Sequence, residues 1–378
     1  MESLMKTPRL LLWLPLGLLV LIFALDKLAL VPVLREAGRS DPTPNENIIH
    51  NMRALYRKAP TDKPVLAIFG SSRSDIFKFL APEEIERGLF LSPAEKRRMQ
   101  ALHFETRSVI RASELFLTYT LIENMLRERK PDLIVLEVSP EMFNKHSPFS
   151  MNLYIRNHVY DRPILRAALG FTSGDLRLEV IARLLFATYA YRWRPERAVM
   201  NLIAGERAAD EGRFVAQLLL DQQKNVEPIP EDYREYPEGD IPIDVFEERF
   251  QEYTDFLERS NILMNYRNDP DELRTLSAIL ELCKERGVPV VVWIPYVHPV
   301  LSRRWATTEY PELHPRVVAA IEAAGVPFFR GFAAKMECRR FVDSSHLSGR
   351  CAPYLMSRIL ETAVTGHGPA VLKEEPAL

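Results

Sequence analysis

The sequence predicts an α/β protein. The expected form is a doubly wound, mostly parallel five-stranded sheet, with a helical insertion and an N-terminal transmembrane helix. Three observations carry this expectation. Short apolar runs at residues 65–69, 107–110, 133–138, 288–294 and 326–329 are mostly β-branched and bounded by turn or polar residues, as in strands covered on both faces. Helical patterns at 114–128, 271–286 and 315–324 precede the last three runs, broken from them at Lys130-Pro131, Gly287 and Gly325. Between the third and fourth runs lie about 130 residues, far more than a crossover needs.

Composition narrows the class. The 378 residues leave room for one large domain with an insertion, or for two domains. An apolar share of 47% excludes wholesale disorder. A formal net charge of −2 gives no global electrostatic case for nucleic acid. Three cysteines exclude a disulfide-dense scaffold.

The apolar residues crowd the N-terminus. Residues 10–25 carry no charge, and apolar character resumes over 28–34 after Asp26-Lys27. Sixteen residues rising about 1.5 Å each fall slightly short of a hydrocarbon core of about 30 Å, and Lys27 can snorkel to extend the run. Lys6 and Arg9 favour a cytoplasmic N-terminus. Residues 1–35 are therefore expected to be an anchor. A cleaved signal peptide needs a better site than Ala24-Leu25-Asp26, and a buried helix needs polar residues at helical spacing. Beyond the anchor, Cys338 and Cys351 either pair or stay free, with Cys283 a buried thiol.

Residues 36–63 read as a stalk with a short helix at 48–58, and 64–364 as the α/β domain. Its insertion, 147–269, has helical patterns at 176–191, 197–205 and 244–266. A Pro-rich acidic loop at 225–243 lies between the last two. The insertion is expected to cover a site on the sheet. The stretch 186–194 mixes aromatics with arginines, suiting either a headgroup surface, sugars, or core with a solvated face. Residues 365–378 form a frayed tail.

Ligand sites of doubly wound sheets lie beyond the carboxyl ends of the strands. After the first strand comes Gly70-Ser71-Ser72-Arg73-Ser74-Asp75, where a serine at a helix N-terminus either attacks a carbonyl or caps the helix. Near the other end stands Asp343-Ser344-Ser345-His346-Leu347-Ser348. A spacing of three lets a carboxylate orient an imidazole that takes a serine proton. Alternatively, Ser345 or Ser348 caps the closing helix. Arg73 either binds an anionic substrate group or pairs with an acid such as Asp75, and His298 is either a rival base or part of a structural turn. Neither metal-ligand spacing nor a phosphate-binding glycine motif is found, so no cofactor or metal is expected.

Taken together, the Gly70-Ser71-Ser72 and Asp343-Ser344-Ser345-His346 blocks resemble the SGNH hydrolase superfamily, whose sheet is flavodoxin-like. The resemblance implies Ser72 as nucleophile, His346 as base and Asp343 as its partner. Gly-Ser-Ser, with segments 136–143 and 293–299, is similar to the membrane-anchored envelope branch of D-alanyl-lipoteichoic-acid assembly proteins and alginate O-acetyltransferases. The resemblance spans about residues 64–146 and 270–364 and departs in two blocks. Where the family has an oxyanion glycine this chain has Ala112-Ser113, and the family's asparagine donor is absent, leaving Ser139 or Asn144 as substitutes.

The resemblance implies an extracytoplasmic serine acyltransferase or esterase, single-pass in a bacterial inner membrane with its domain in the periplasm. It would act on a cell-envelope glycan or lipid-linked polymer, with acyl groups supplied by a multi-spanning membrane O-acyltransferase. The alternatives are a non-catalytic glycan-binding or assembly scaffold and a simple carboxylester hydrolase.

Overall fold

A computed structural model describes residues 7–38, 64–78, 91–101, 105–109, 114–147, 162–190, 193–204, 241–259 except 245–246, 265–330 and 337–365, with 80, 85 and 263. The expected helix at 48–58, the loop at 225–240 and the tail from 366 lie outside the described residues. The chain divides into two compact units, residues 1–47 with 154–228 and residues 48–153 with 229–378. The insertion expected at 147–269 is thus shared between them.

The second unit holds a parallel sheet of β1 (Val65–Phe69), β2 (Glu105–Val109), β3 (Leu133–Glu137), β5 (Val290–Ile294) and β6 (Phe328–Arg330). Its order is β2-β1-β3-β5-β6. Every residue of β1, β3 and β5 is buried, which explains their uninterrupted apolar character. At the edge, β2 pairs among the described residues only with β1 and starts two residues before the expected run, with polar residues an edge tolerates. The chain leaves β1 for β2 on one side and returns to β3 on the other. The crevice beyond the carboxyl ends of β1 and β3 is therefore the topological switch point.

Two strands begin later than the sequence suggests, for one reason. Gly287 and Gly325 adopt positive φ (62° and 67°) and close helices Pro270–Glu285 and Tyr310–Ala323. Val288 then donates back to Cys283 O and Val326 to Ile321 O, so these valines finish helices rather than begin strands. The carbonyls of Pro289 and Pro327 open the ladders by accepting from Ile134 and Val292. Helix Tyr310–Ala323 starts before its expected position because Pro315, inside it, removes a donor only near its beginning.

A two-stranded antiparallel sheet, β4 (Ile241–Pro242) with β7 (Arg340–Phe341), lies within the same unit and was not expected. Phe341 packs edge-on to Phe250, whose helix α9 (Glu247–Arg259) is shorter than the expected 244–266. Cys338 and Cys351 form a disulfide, and Cys283 is buried and free.

In the first unit, α1 (Thr7–Asp26) covers the expected anchor. Among the described residues, no helix is long and apolar enough to cross a membrane. The side chains of residues 7–12 and 14 lie outside that description. Asp26 ends α1 buried, and its carboxylate accepts from Ala187 N at 2.7 Å, Thr188 N at 2.9 Å and Thr188 Oγ1 at 2.5 Å. Lys27, expected to snorkel, instead donates to Leu185 O and lies over the Phe23 ring. Helix α2 (Pro32–Gly38) follows, running from the end of the expected anchor into the start of the expected stalk.

Candidate active site

The carboxyl end of β1 turns at Gly70 into a short 3₁₀ helix, Ser72–Lys78. Glycine is needed for close approach: a Cβ at Gly70 would stand 2.4 Å from Glu137 Oε2 and 2.2 Å from Ser74 Oγ. The two serines then divide the roles left open by the sequence. Ser71 is buried and accepts from Arg73 N at 3.2 Å, the cap role. Ser72 is exposed, with Oγ 2.7 Å from His346 Nε2.

His346 Nδ1 lies 2.8 Å from Asp343 Oδ2. Asp343 Oδ1 also accepts from Ser345 N at 2.7 Å and His346 N at 2.8 Å, which bends 343–346 into a turn presenting the ring. The turn is held from both flanks. Val342 N donates to His346 O, His298 N donates to Ser344 O, and Thr254 Oγ1 on α9 lies 2.9 Å from Ser344 Oγ. Ser348 accepts from Arg350 N, capping the turn before the closing helix Ala352–Thr365. With Nδ1 donating to Asp343, Nε2 is free to take the Ser72 proton, the geometry of a serine nucleophile, base and orienting acid.

Glu137, ending β3, buttresses the turn that carries Ser72. Fully buried, it accepts from Ser71 N at 2.9 Å, Ser71 Oγ at 2.5 Å and Ser74 Oγ at 2.7 Å. No role was read for it in the sequence, although an acid ending an otherwise apolar strand beside the switch point is such a signal. Arg73 pairs with Glu141 and lies 3.7 Å from Glu137, correcting the reading that it meets an anionic substrate group. Burial lowers its pKa, with Glu137 opposing.

The remaining candidates fall elsewhere. Asn144 Oδ1 accepts from His146 N and Arg267 N, and its backbone bridges to Asn268, which gives it a structural role between two loops. Ser139 is buried just beyond β3, and its Oγ has no partner among the described residues. Ala112 and Ser113 lie outside the described residues. His298 is no base: buried and stacked on Phe250, it bonds Val300 N and Ile243 O, and burial lowers its pKa.

Tyr253, unforeseen in the sequence, projects from α9 with its ring edge-on to His346 at 6.2 Å. Burial raises its phenol pKa, and Asp343 adds to the rise, so the hydroxyl stays a neutral donor. Among the described residues no group of three or more His, Cys, Asp or Glu could hold a metal ion.

The profile of a family described as "Protein of unknown function (DUF1574)" matches residues 5–362. No curated protein matches the sequence. Among solved structures, the chain is similar to a GDSL-like lipase from Bacteroides thetaiotaomicron VPI-5482, at 10% identity over 85% of this chain and 97% of that chain. The TM-score is 0.33, a likeness too slight to assign a function.

Proposed function

The chain belongs to the DUF1574 family, whose description names no activity, and we propose from its site that it is an SGNH-type serine acyltransferase or esterase. The observation that carries this reading is the hydrogen-bonded series Ser72–His346–Asp343 with an exposed serine at the switch point of the sheet. Ser72 Oγ attacks the acyl carbonyl carbon as its proton passes to His346 Nε2, and the carbonyl π pair moves onto oxygen. Asp343 holds the imidazolium through Nδ1–H. Collapse of the intermediate expels the alcohol, which takes the proton from Nε2 and leaves acyl-Ser72. A second hydroxyl, from a glycan or from water, gives its proton to Nε2, attacks the ester and restores Ser72.

The Ser72 backbone N–H has no acceptor among the described residues and is one donor for the oxyanion. Two further features support an extracytoplasmic setting. The charge-free run at 10–25 lies in a 20-residue helix, and the Cys338–Cys351 disulfide suits an oxidising compartment. The envelope glycan or lipid-linked acceptor, the inner-membrane location and the membrane O-acyltransferase donor follow from the resemblance of segments 70–72, 136–143, 293–299 and 343–346.

A fluorophosphonate probe tests the reading on the full chain. Labelling is expected in the wild type, lost in Ser72→Ala and strongly reduced in His346→Ala. Equal labelling of wild type and Ser72→Ala would overturn it. Acetyl-ester assays with and without a glycan acceptor then separate transfer from free hydrolysis.

A further inference from the structure

All large exposed apolar side chains among the described residues belong to the first unit, except Phe256, Val342 and Val364. Part of this set lies on α1, where Leu18, Leu19, Val20, Leu21, Ile22 and Phe23 are exposed in succession. At 3.6 residues per turn, six consecutive positions face every direction around the helix axis. A protein partner covers one side of a helix, whereas a bilayer covers all of them.

Leu28, Leu30, Val31 and Val33 follow α1, Leu169 stands alone, and the rest of the set lies on α6 (Gly174–Leu185), α8 (Pro195–Ala204) and the link between them. On α6 the inward face carries Val180 and Arg183, both buried, while Leu178, Ile181 and Leu185 stand outward at spacings of three and four. On α8, Ala198 is buried and Asn201 bonds Ala37 O, while Met200 and Ile203 point outward at 66% and 80% exposure. Both helices therefore carry apolar residues on the outer face as well as the inner one, the reverse of a helix facing water. Phe186 and Tyr189 are exposed between them, and Arg166, Arg177, Arg194 and Arg197 are exposed on the same unit. Aromatic residues and arginines together suit a headgroup boundary.

This surface is fastened to the end of the apolar helix. Asp26 caps the turn at Ala187 and Thr188, Lys27 holds Leu185 O, Trp193 Nε1 donates to Leu34 O at 2.7 Å, and Arg194 N donates to Gly38 O at 2.8 Å. The exposed residues of α6 and α8 are thus continuous with the end of the charge-free run, at the level where a bilayer-embedded α1 would emerge.

We propose that residues 162–204 form an interfacial collar seating the chain on a lipid bilayer. The collar's position at the emerging end of α1 rests on the membrane reading of that helix, and its own apolar face is tested separately. Single cysteines at Leu19, Leu178, Ile203 and Val364, the last as control, would carry an environment-sensitive fluorophore. The substituted side chains are exposed, the native Cys283 is buried and the other two cysteines are paired, so background is low.

The full chain is reconstituted into vesicles of equal phosphatidylcholine and phosphatidylglycerol, with the phosphatidylcholine brominated either near the headgroup or near the chain end. Headgroup-proximal bromines are expected to quench Leu178 and Ile203 at least twofold, chain-end bromines to quench Leu19, and neither to quench Val364. Quenching at Leu19 without quenching at Leu178 and Ile203 overturns the collar and leaves the anchor. Quenching at Leu178 and Ile203 without Leu19 keeps the collar and removes the span, and no quenching at any of the three overturns both. Chain-to-chain cross-linking through Ile203 without quenching would assign the face to a second copy and also overturn the collar.

Discussion

Arg73 donates through Nε to the carbonyl oxygen of Ser345 at 3.2 Å, so the residue after Ser72 is bonded to the residue before His346. Its other side meets Glu141 and Glu137, and the guanidinium lies 5.5 Å from the Trp305 ring centroid. The planar fork joins three loops that a point charge cannot join. Arg73→Met, which leaves two buried acids without their cation, is expected to lower stability by about 3–5 kcal/mol in urea denaturation. Arg73→Lys is expected to fold and to lose kcat more than KM, because the charge remains while the Ser345 tether goes. An unchanged kcat in Arg73→Lys contradicts the tether.

Gly70 tests the buttress from its other side. A methyl group there meets the Glu137 carboxylate and its Cβ, the latter at 2.6 Å, and neither can retreat from a fully buried strand end. Gly70→Ala is expected to lower fluorophosphonate labelling at least tenfold and to shift the thermal midpoint downward. Glu137→Gln keeps the shape and exchanges acceptors for a donor, so its loss of labelling should exceed its loss of stability. Full labelling in Gly70→Ala contradicts the close approach.

The disulfide closes a loop that holds Asp343 and His346, since both lie between Cys338 and Cys351. A sequence separation of 13 corresponds to about 3 kcal/mol of loop-closure stabilisation. Reduction, or the pair Cys338→Ser and Cys351→Ser, is expected to lower stability by about that amount and to diminish ester turnover. Equal turnover before and after verified reduction would separate the cross-link from the site.

Acid should weaken the second unit through His314, which lies buried between Tyr310 and Arg330. Burial, followed by the neighbouring Arg330 charge, lowers its pKa to about 4. The folded chain therefore holds the neutral imidazole where the unfolded chain takes a proton. The stability this provides is complete above about pH 6.5 and is lost as pH falls toward 4, up to about 3 kcal/mol. Urea midpoints at pH 7 and pH 5 should differ in the wild type and converge in His314→Gln. An equal difference in both chains contradicts the assignment.

Sheet and site were legible in the sequence to different depths. The five strand cores stood out because β1, β3 and β5 are buried on both faces, which leaves an apolar run no other element explains. Their starts did not, since Val288 and Val326 look like strand residues and are spent closing helices after Gly287 and Gly325. The hydrogen-bonded series Ser72–His346–Asp343 was legible because proton transfer between side chains allows few residue types, and these three stand in the segments that follow strands. Glu137 and Tyr253 were not identified, because their roles depend on which elements face each other across the crevice. Helical periodicity likewise marked apolar faces at 176–191 and 197–205 without saying what covers them. The two-residue strand Ile241–Pro242 lies inside the Pro-rich acidic stretch read as a loop, 225–243, and carries no periodicity of its own.

The bond between Ser72 and His346 spans 274 positions of chain. At a ribosomal rate of about 5–20 residues per second, the nucleophile waits roughly 15–55 s for its base to be synthesised. A prematurely released chain that stops before residue 346 carries a serine with no partner to activate it. The order of translation thus leaves every copy that ends before residue 346 without the imidazole that the proposed chemistry needs.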